Sequence, residues 1–185
     1  RRERRGFPSA PRAGQCVFAG TAPAAFSARY QACSGRARIE AITAFTQAIA
    51  IWSRTVGEEH LDVAIALIGL AKAQDDVDAL ASATRARAII EKVAPGNPLL
   101  ADAIGLAGMA HAGRNEWPAA LADLERALAL RGAADVDPLH RAETQSYLAW
   151  AILASGGTGA ARTRALALAR EARDVYRSRG RAERA

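Results

Sequence analysis

Aromatic side chains are scarce in this sequence, making up 5% of its 185 residues. A β-sandwich or barrel draws its core from aromatic and β-branched residues, so the shortage, beside alanine everywhere, favours close-packed helices. Cysteine is nearly absent: Cys16 and Cys33 are the two present, and they make no metal or redox spacing and no disulfide framework. His60, His111 and His140 stand singly and read as helix-end or surface histidines, so neither a metal nor a cofactor is expected. No apolar stretch approaches the roughly 18 residues a membrane span needs. The basic start at Arg1 to Arg5 leads into Gly6 and Pro8, with none of the apolar run of a secretory signal. The expectation is a soluble, cytoplasmic protein, or a piece of one.

Motifs that carry chemistry are missing as well. A kinase needs a glycine-rich loop, a strand lysine, a His-Arg-Asp loop and an Asp-Phe-Gly metal site, and none is present. There is no Gly-x-x-x-x-Gly-Lys phosphate loop, and Gly156-Gly157-Thr158-Gly159, with no strand before it, reads as a turn between helices. Glu58-Glu59-His60 lacks the second histidine of a zinc-protease helix and reads as a capped helix junction. Asp75-Asp76-x-Asp78 could attract a cation, but three acids at a helix start more simply complement its dipole. No catalysis is expected.

The net charge of +6 first suggests nucleic acid, but it is unevenly spread. Residues 1–38 carry +7, residues 160–185 carry +5, and residues 39–159 carry −6. Basic ends on an acidic body, with no aromatics interleaved for stacking bases, read as solvated tails rather than a groove reader. Nucleic acid is therefore not an expected partner, although an enzyme or nucleic-acid binder with an undetected site is the competing class.

What is present is a repeat. Ala41-Ile42…Ala48…Ile51, Ala79-Leu80…Ala86…Ile89, Ala120-Leu121…Ala127…Leu130 and Ala165-Leu166…Ala172…Val175 share one spacing. Seven residues is about two helical turns, so the paired alanines stack on one face where another helix can come close. A second pattern alternates with the first: Ala64…Ala71-x-Ala73, Ala101…Gly108-x-Ala110 and Ala142…Ala149-x-Ala151. Two helix types, A and B, therefore alternate as hairpins. Breakers fall between them at Gly57, at Pro95-Gly96-Asn97-Pro98, at Gly132 with Asp137-Pro138, and at Gly156-Gly157. The spacing predicts helices over about 38–55, 61–74, 77–93, 98–112, 117–131, 138–155 and 159–178. The fold class is all-α, a solenoid of about three and a half antiparallel hairpins over residues 37–180. Residues 1–36 are expected to be a disordered basic segment with at most a short cap at Ala24 to Ala32, and residues 181–185 a basic tail.

Gly57-Glu58-Glu59-His60-Leu61-Asp62-Val63-Ala64 resembles the Gly-x-x-His-Pro-Asp-Val-Ala junction of tetratricopeptide (TPR) repeats of the kinesin-light-chain type, with Leu61 in place of proline. Leu124-Glu125-Arg126-Ala127-Leu128-Ala129-Leu130 is similar to that family's B helix. The stretch Leu124 to Tyr176 also resembles TPR regions that follow bacterial serine/threonine kinase domains, and the excess of 23 arginines over two lysines, Lys72 and Lys92, fits a high-GC genome. The resemblance implies a non-catalytic interaction module that takes a protein or peptide in the concave groove of its A helices. Its alternative is a regulatory fragment of such a kinase, with the catalytic domain outside this chain. The family's asparagine pair is replaced by Ile68-Gly69, Gly105-Leu106 and Ser146-Tyr147, so the likeness does not extend to a backbone clamp.

Counting eight residues on from Ala64, Ala101 and Ala142 reaches Lys72, Met109 and Trp150. Counting one and four reaches Ile65 and Ile68, Asp102 and Gly105, Glu143 and Ser146, on the same helical stripe. By the resemblance this stripe lines the groove, which makes Lys72, Asp102, Met109, Glu143, Ser146 and Trp150 the candidate partner-binding residues. Two acids in it favour a partner with some positive charge. Trp150 has a second reading, as a core residue sealing the last hairpin.

Overall fold

The computed structural model describes residues 35–134 and 137–182, which form seven helices and no strand. In chain order these are α1 Gly35–Thr55, α2 Leu61–Ala73, α3 Asp76–Val93, α4 Leu99–Gly113, α5 Trp117–Ala134, α6 Pro138–Ala154 and α7 Gly159–Ala182. Helix starts follow from local side chains that accept otherwise orphaned backbone N–H groups. His60 accepts from Asp62 N, Asp75 from Asp78 N, Asn97 from Leu99 N and Asp137 from Leu139 N. The acidic Asp75-Asp76-x-Asp78 run is thus the cap and first turn of α3. Gly57 and Gly156 follow α1 and α6 at φ of 97° and 86°, backbone that residues with a Cβ enter only with strain.

Three expected boundaries shift: α1 begins at Gly35 rather than 38, inside the segment expected to be irregular, α7 runs on to Ala182 rather than 178, and α5 passes its expected end at 131. Gly132 does not end its helix, and α5 continues to Ala134. A lone glycine inside a helix costs only about 1 kcal/mol relative to alanine, which packing on α4 and α6 outweighs. The short turn between α2 and α3 is closed by a side-chain lock, the Ser82 hydroxyl donating to Gln74 Oε1 at 2.7 Å. The expectations for residues 1–34, including Cys16, Cys33 and the Ala24 to Ala32 cap, fall outside the described residues.

Each helix packs on its chain neighbours, and α2, α4 and α6 also touch in sequence, α2 to α4 and α4 to α6. The A helices therefore form a continuous inner row and the B helices an outer one. The repeating alanines explain the close approach: Ala64, Ala71, Ala101, Ala110, Ala142 and Ala149 are buried in the inner row, and Ala79, Ala86, Ala120, Ala127, Ala165 and Ala172 in the outer. Gly108 of α4 sits so near α5 that a Cβ there would stand 3.1 Å from the Leu124 backbone nitrogen. One hydrophobic cluster joins α2, α3 and α4, a second joins α5, α6 and α7, and Met109 packs against both.

Across the outer row, ion pairs tie one repeat to the next. Arg126 reaches back to Glu91 at 2.8 Å, Arg87 reaches forward to Asp123 at 3.4 Å, and Arg164 reaches Glu125 at 2.7 Å. Partial burial raises the Glu91 carboxyl, but hydrogen bonds from Arg87 and Arg126 outweigh it and hold that group below its ordinary value.

Candidate interaction surface

The A-helix stripe is built in two depths. Ile65 and Lys72 on α2 and Glu143 on α6 are exposed, while Asp102 and Met109 on α4 and Ser146 and Trp150 on α6 are half-buried. Ile68 and Gly105, expected on the same stripe, are buried. Their positions lie further round the helix, and a Cβ on Gly105 would meet Ala127 of α5 at 3.6 Å and Thr144 of α6 at 4.0 Å. The line four residues after each starting alanine therefore turns into the helix interface at α2 and α4. The line at eight reaches the surface on all three helices, and the line at one does so at Ile65 and Glu143.

Asp102 is committed to the fold. It accepts from Arg131 of α5, whose Nε also donates to the Thr144 hydroxyl of α6 at 3.0 Å. The Arg131 side chain is only 7% exposed and that of Asp102 13%, so a nearly dry ion pair pins three helices together. The next hairpin repeats the arrangement with different chemistry. Adding the 41 residues that separate Ala101 from Ala142 carries Asp102 to Glu143, and adding the 45 that separate Ala120 from Ala165 carries Arg131 to Tyr176. Tyr176 of α7 lies close to Glu143 and hydrogen-bonds Ser146. A neutral phenol thus stands where the preceding hairpin has a guanidinium, and Glu143 has no cation at that position.

Burial, and then the neighbouring Glu143 carboxylate, push the Tyr176 hydroxyl up to about 12 from its ordinary 10.0, against the lowering effect of Ser146. A raised pKa on an acid that is neutral at pH 7 means that folding favours the protonated phenol. Its contribution is fully present below pH 10.0 and is lost as pH rises from there through about 12. Urea midpoints taken through that window should fall with pH in the native protein and fall less in Tyr176→Phe. Equal slopes would show that Tyr176 ionises as freely folded as unfolded.

Trp150 packs against Trp117, the first residue of α5, edge to face with ring centroids 5.8 Å apart. The pair is half-buried, one ring from the inner row and one from the outer. Trp150 is therefore part seal and part surface, and the two readings of it from sequence describe its two sides. Sequence reasoning missed both this pair and Arg131. The signal was available in the B-helix register, where Trp117 lies three residues before Ala120 and Arg131 eleven after it.

Elsewhere, an open cavity of about 310 Å³ is lined by Glu58, Glu59, Arg85, Ala88, Ile89 and Lys92. Its charges pair with one another, Lys92 with Glu59 and Arg85 with Glu58. Among the described residues no group of His, Cys, Asp and Glu gathers as a metal site, and no helix is long and apolar enough to cross a membrane.

No family model matches the sequence, and no curated protein matches it. Solved structures do. The chain is similar to the nearly identical TPR-like repeats of a putative kinesin light chain from Podosopora anserina, with a TM-score of 0.59 and 20% identity over 86% of each chain. A point-substituted form of those repeats gives a TM-score of 0.61 at the same identity and coverage. Likeness at this identity shows the fold, a TPR-like helical-repeat solenoid.

Proposed function

We propose that the chain is a non-catalytic protein-interaction module that receives a peptide or protein segment along the face of α2, α4 and α6. The carrying observation is that equivalent positions of three successive inner helices leave side chains at the surface in a row: Ile65 and Lys72, Met109, and Glu143 and Trp150, with Asp102 held back in its ion pair. Trp150 offers a large amphipathic ring and Met109 an adaptable thioether, the side-chain types that anchor partners. Because Arg131 neutralises Asp102, the preference for a positively charged partner rests on Glu143, with Ser146 beside it. No described geometry favours the kinase-linked alternative.

The test uses the full chain as bait in its native lysate, with Trp150→Ala and Trp117→Ala baits in parallel. Both variants break the same ring pair and should lose similar stability, but only Trp150→Ala should weaken partner capture, by about 2 kcal/mol. Equal loss of capture in the two would mean that Trp150 acts through packing alone, and the groove assignment would fall.

A further inference from the structure

Among the described residues, α1 is the one helix with no buried side chain. It packs on α2. A Cβ on Gly69 would collide with the Phe45 ring, Arg38 Nε donates to the Ala73 carbonyl at 2.8 Å, and Ile49 and Trp52 pack on the cluster of α2, α3 and α4. These residues make one side of the helix, and a second apolar side is left over.

In the later B helices that second side is covered by the A helix before it. Counted from the repeat alanine, offsets zero, three, seven and ten are Ala79, Ser82, Ala86 and Ile89 in α3, all buried, and the first three in α7, Ala165, Leu168 and Ala172, are buried as well. In α5 this side meets α4, where Gly105 faces Ala127 and Gly108 lies against Asp123 and Leu124. The same offsets in α1 are Ala41, Ala44, Ala48 and Ile51, an unbroken apolar strip. Ala41 and Ala48 are half-buried, Ala44 is exposed, and Ile51 is 58% exposed where Ile89 is 6%. The water side of α1 lies elsewhere, at Glu40, Thr43, Thr46 and Gln47, so the strip is a packing face.

The 34 residues ahead of α1 hold a matching strip. Ala25, Ala28 and Ala32 repeat the spacing of Ala41, Ala44 and Ala48, and no other three alanines ahead of α1 have it. Sixteen residues separate Ala25 from Ala41, between the 15 from Ala64 to Ala79 and the 23 from Ala142 to Ala165. Thr21 and Pro23 are residues that start helices, and Cys33 and Ser34 leave a turn as long as Gln74 and Asp75 between α2 and α3. We propose that residues 22–32 fold back on α1 as the A helix of its hairpin, with Ala25, Ala28 and Ala32 against Ala41, Ala44 and Ala48. A segment tethered two residues away meets the strip at a far higher effective concentration than a second copy of the chain does. Counting one and four from Ala25 then sets Phe26 and Arg29 in line with Ile65 and Ile68, at the head of the inner row. That extension rests on reading the inner row as a binding face; the packing of the segment does not.

The test is amide hydrogen exchange of the full chain, read by mass spectrometry. Amides of residues 22–32 should exchange roughly a hundredfold more slowly than in a free peptide of the same sequence. Ala44→Arg and Ala28→Glu attack the contact from its two sides, and each should return the segment to the free-peptide rate while α3 to α7 stay protected. Gln47→Arg, on the water side of α1, should change nothing. Should Ala44→Arg disturb α1 itself, Ala28→Glu still decides, because it lies in the segment and keeps a good helix former there. Free-peptide rates in the native chain would overturn the proposal. So would protection that survives both substitutions, and so would protection that fades on dilution, the result expected if a second copy covered the strip. Trp150→Ala should leave the protection of residues 22–32 intact, which separates this contact from the fate of the inner stripe.

Discussion

Asp102→Ala is expected to cost about 3–5 kcal/mol of folding stability, the largest effect of any surface-row substitution in this chain. The reason is the partner it abandons. Arg131 is 7% exposed at its side chain and enters from α5 between α4 and α6, where its charge is met by Asp102 and its Nε by Thr144. A guanidinium in that position has little water to turn to, so removing the carboxylate takes away its close, nearly buried acid and leaves the charge less well compensated. Replacing both partners should behave differently. Asp102→Leu with Arg131→Met removes the two charges together and should recover most of the loss, because an apolar pair of similar volume has no ion to desolvate. Urea unfolding with unchanged m-values measures both. A loss below about 1 kcal/mol for Asp102→Ala would mean that water screens the pair, and Asp102 would then return to the surface as an acid available to a partner.

That ion pair also marks where the sequence stops being readable. Helix existence and order follow from alanines seven residues apart, because a small residue recurring every two turns has one efficient use, and the segment boundaries follow from glycine, proline and capping residues. Gly132 misleads because one residue type serves both as a terminator and as a tolerated interior residue, and only packing decides between them. Single-helix periodicity places Asp102, Met109 and Trp150 on one stripe, but it cannot say what crosses over from another helix. Arg131 covers Asp102, and Trp117 stacks on Trp150, from a helix that periodicity treats separately. Ile68 and Gly105 fail for the related reason that a stripe has width, and its edge nearest the neighbouring helix is interface, not surface. Aligning A and B registers against each other, rather than each against itself, brings out Arg131 with Asp102 and Tyr176 with Glu143.

The alanine repeat itself makes the second large prediction, that Ala127→Leu costs about 3 kcal/mol, the upper end for an overpacked core. Ala127 is 0% exposed, and the position a Cβ would take on Gly105 of α4 lies 3.6 Å from its own Cβ. Two of the smallest residues therefore face each other, and their helices have closed the gap between them. Three added carbons on α5 have nowhere to go except into α4, and α4 is flanked by α2 and α6, so it cannot retreat without disturbing both. Its outward side is no refuge either, because Gly108, one turn on, already lies against Leu124. The same substitution at Ala122, exposed on the opposite side of the same helix, adds the same carbons to solvent and should shift stability by less than about 0.5 kcal/mol. Chemical denaturation of the two variants side by side gives the comparison at constant helix propensity. Similar losses at both positions would show that the phase of α5 is wrong, and with it the pairing of Arg131 to Asp102 that depends on the same rotation of the helix.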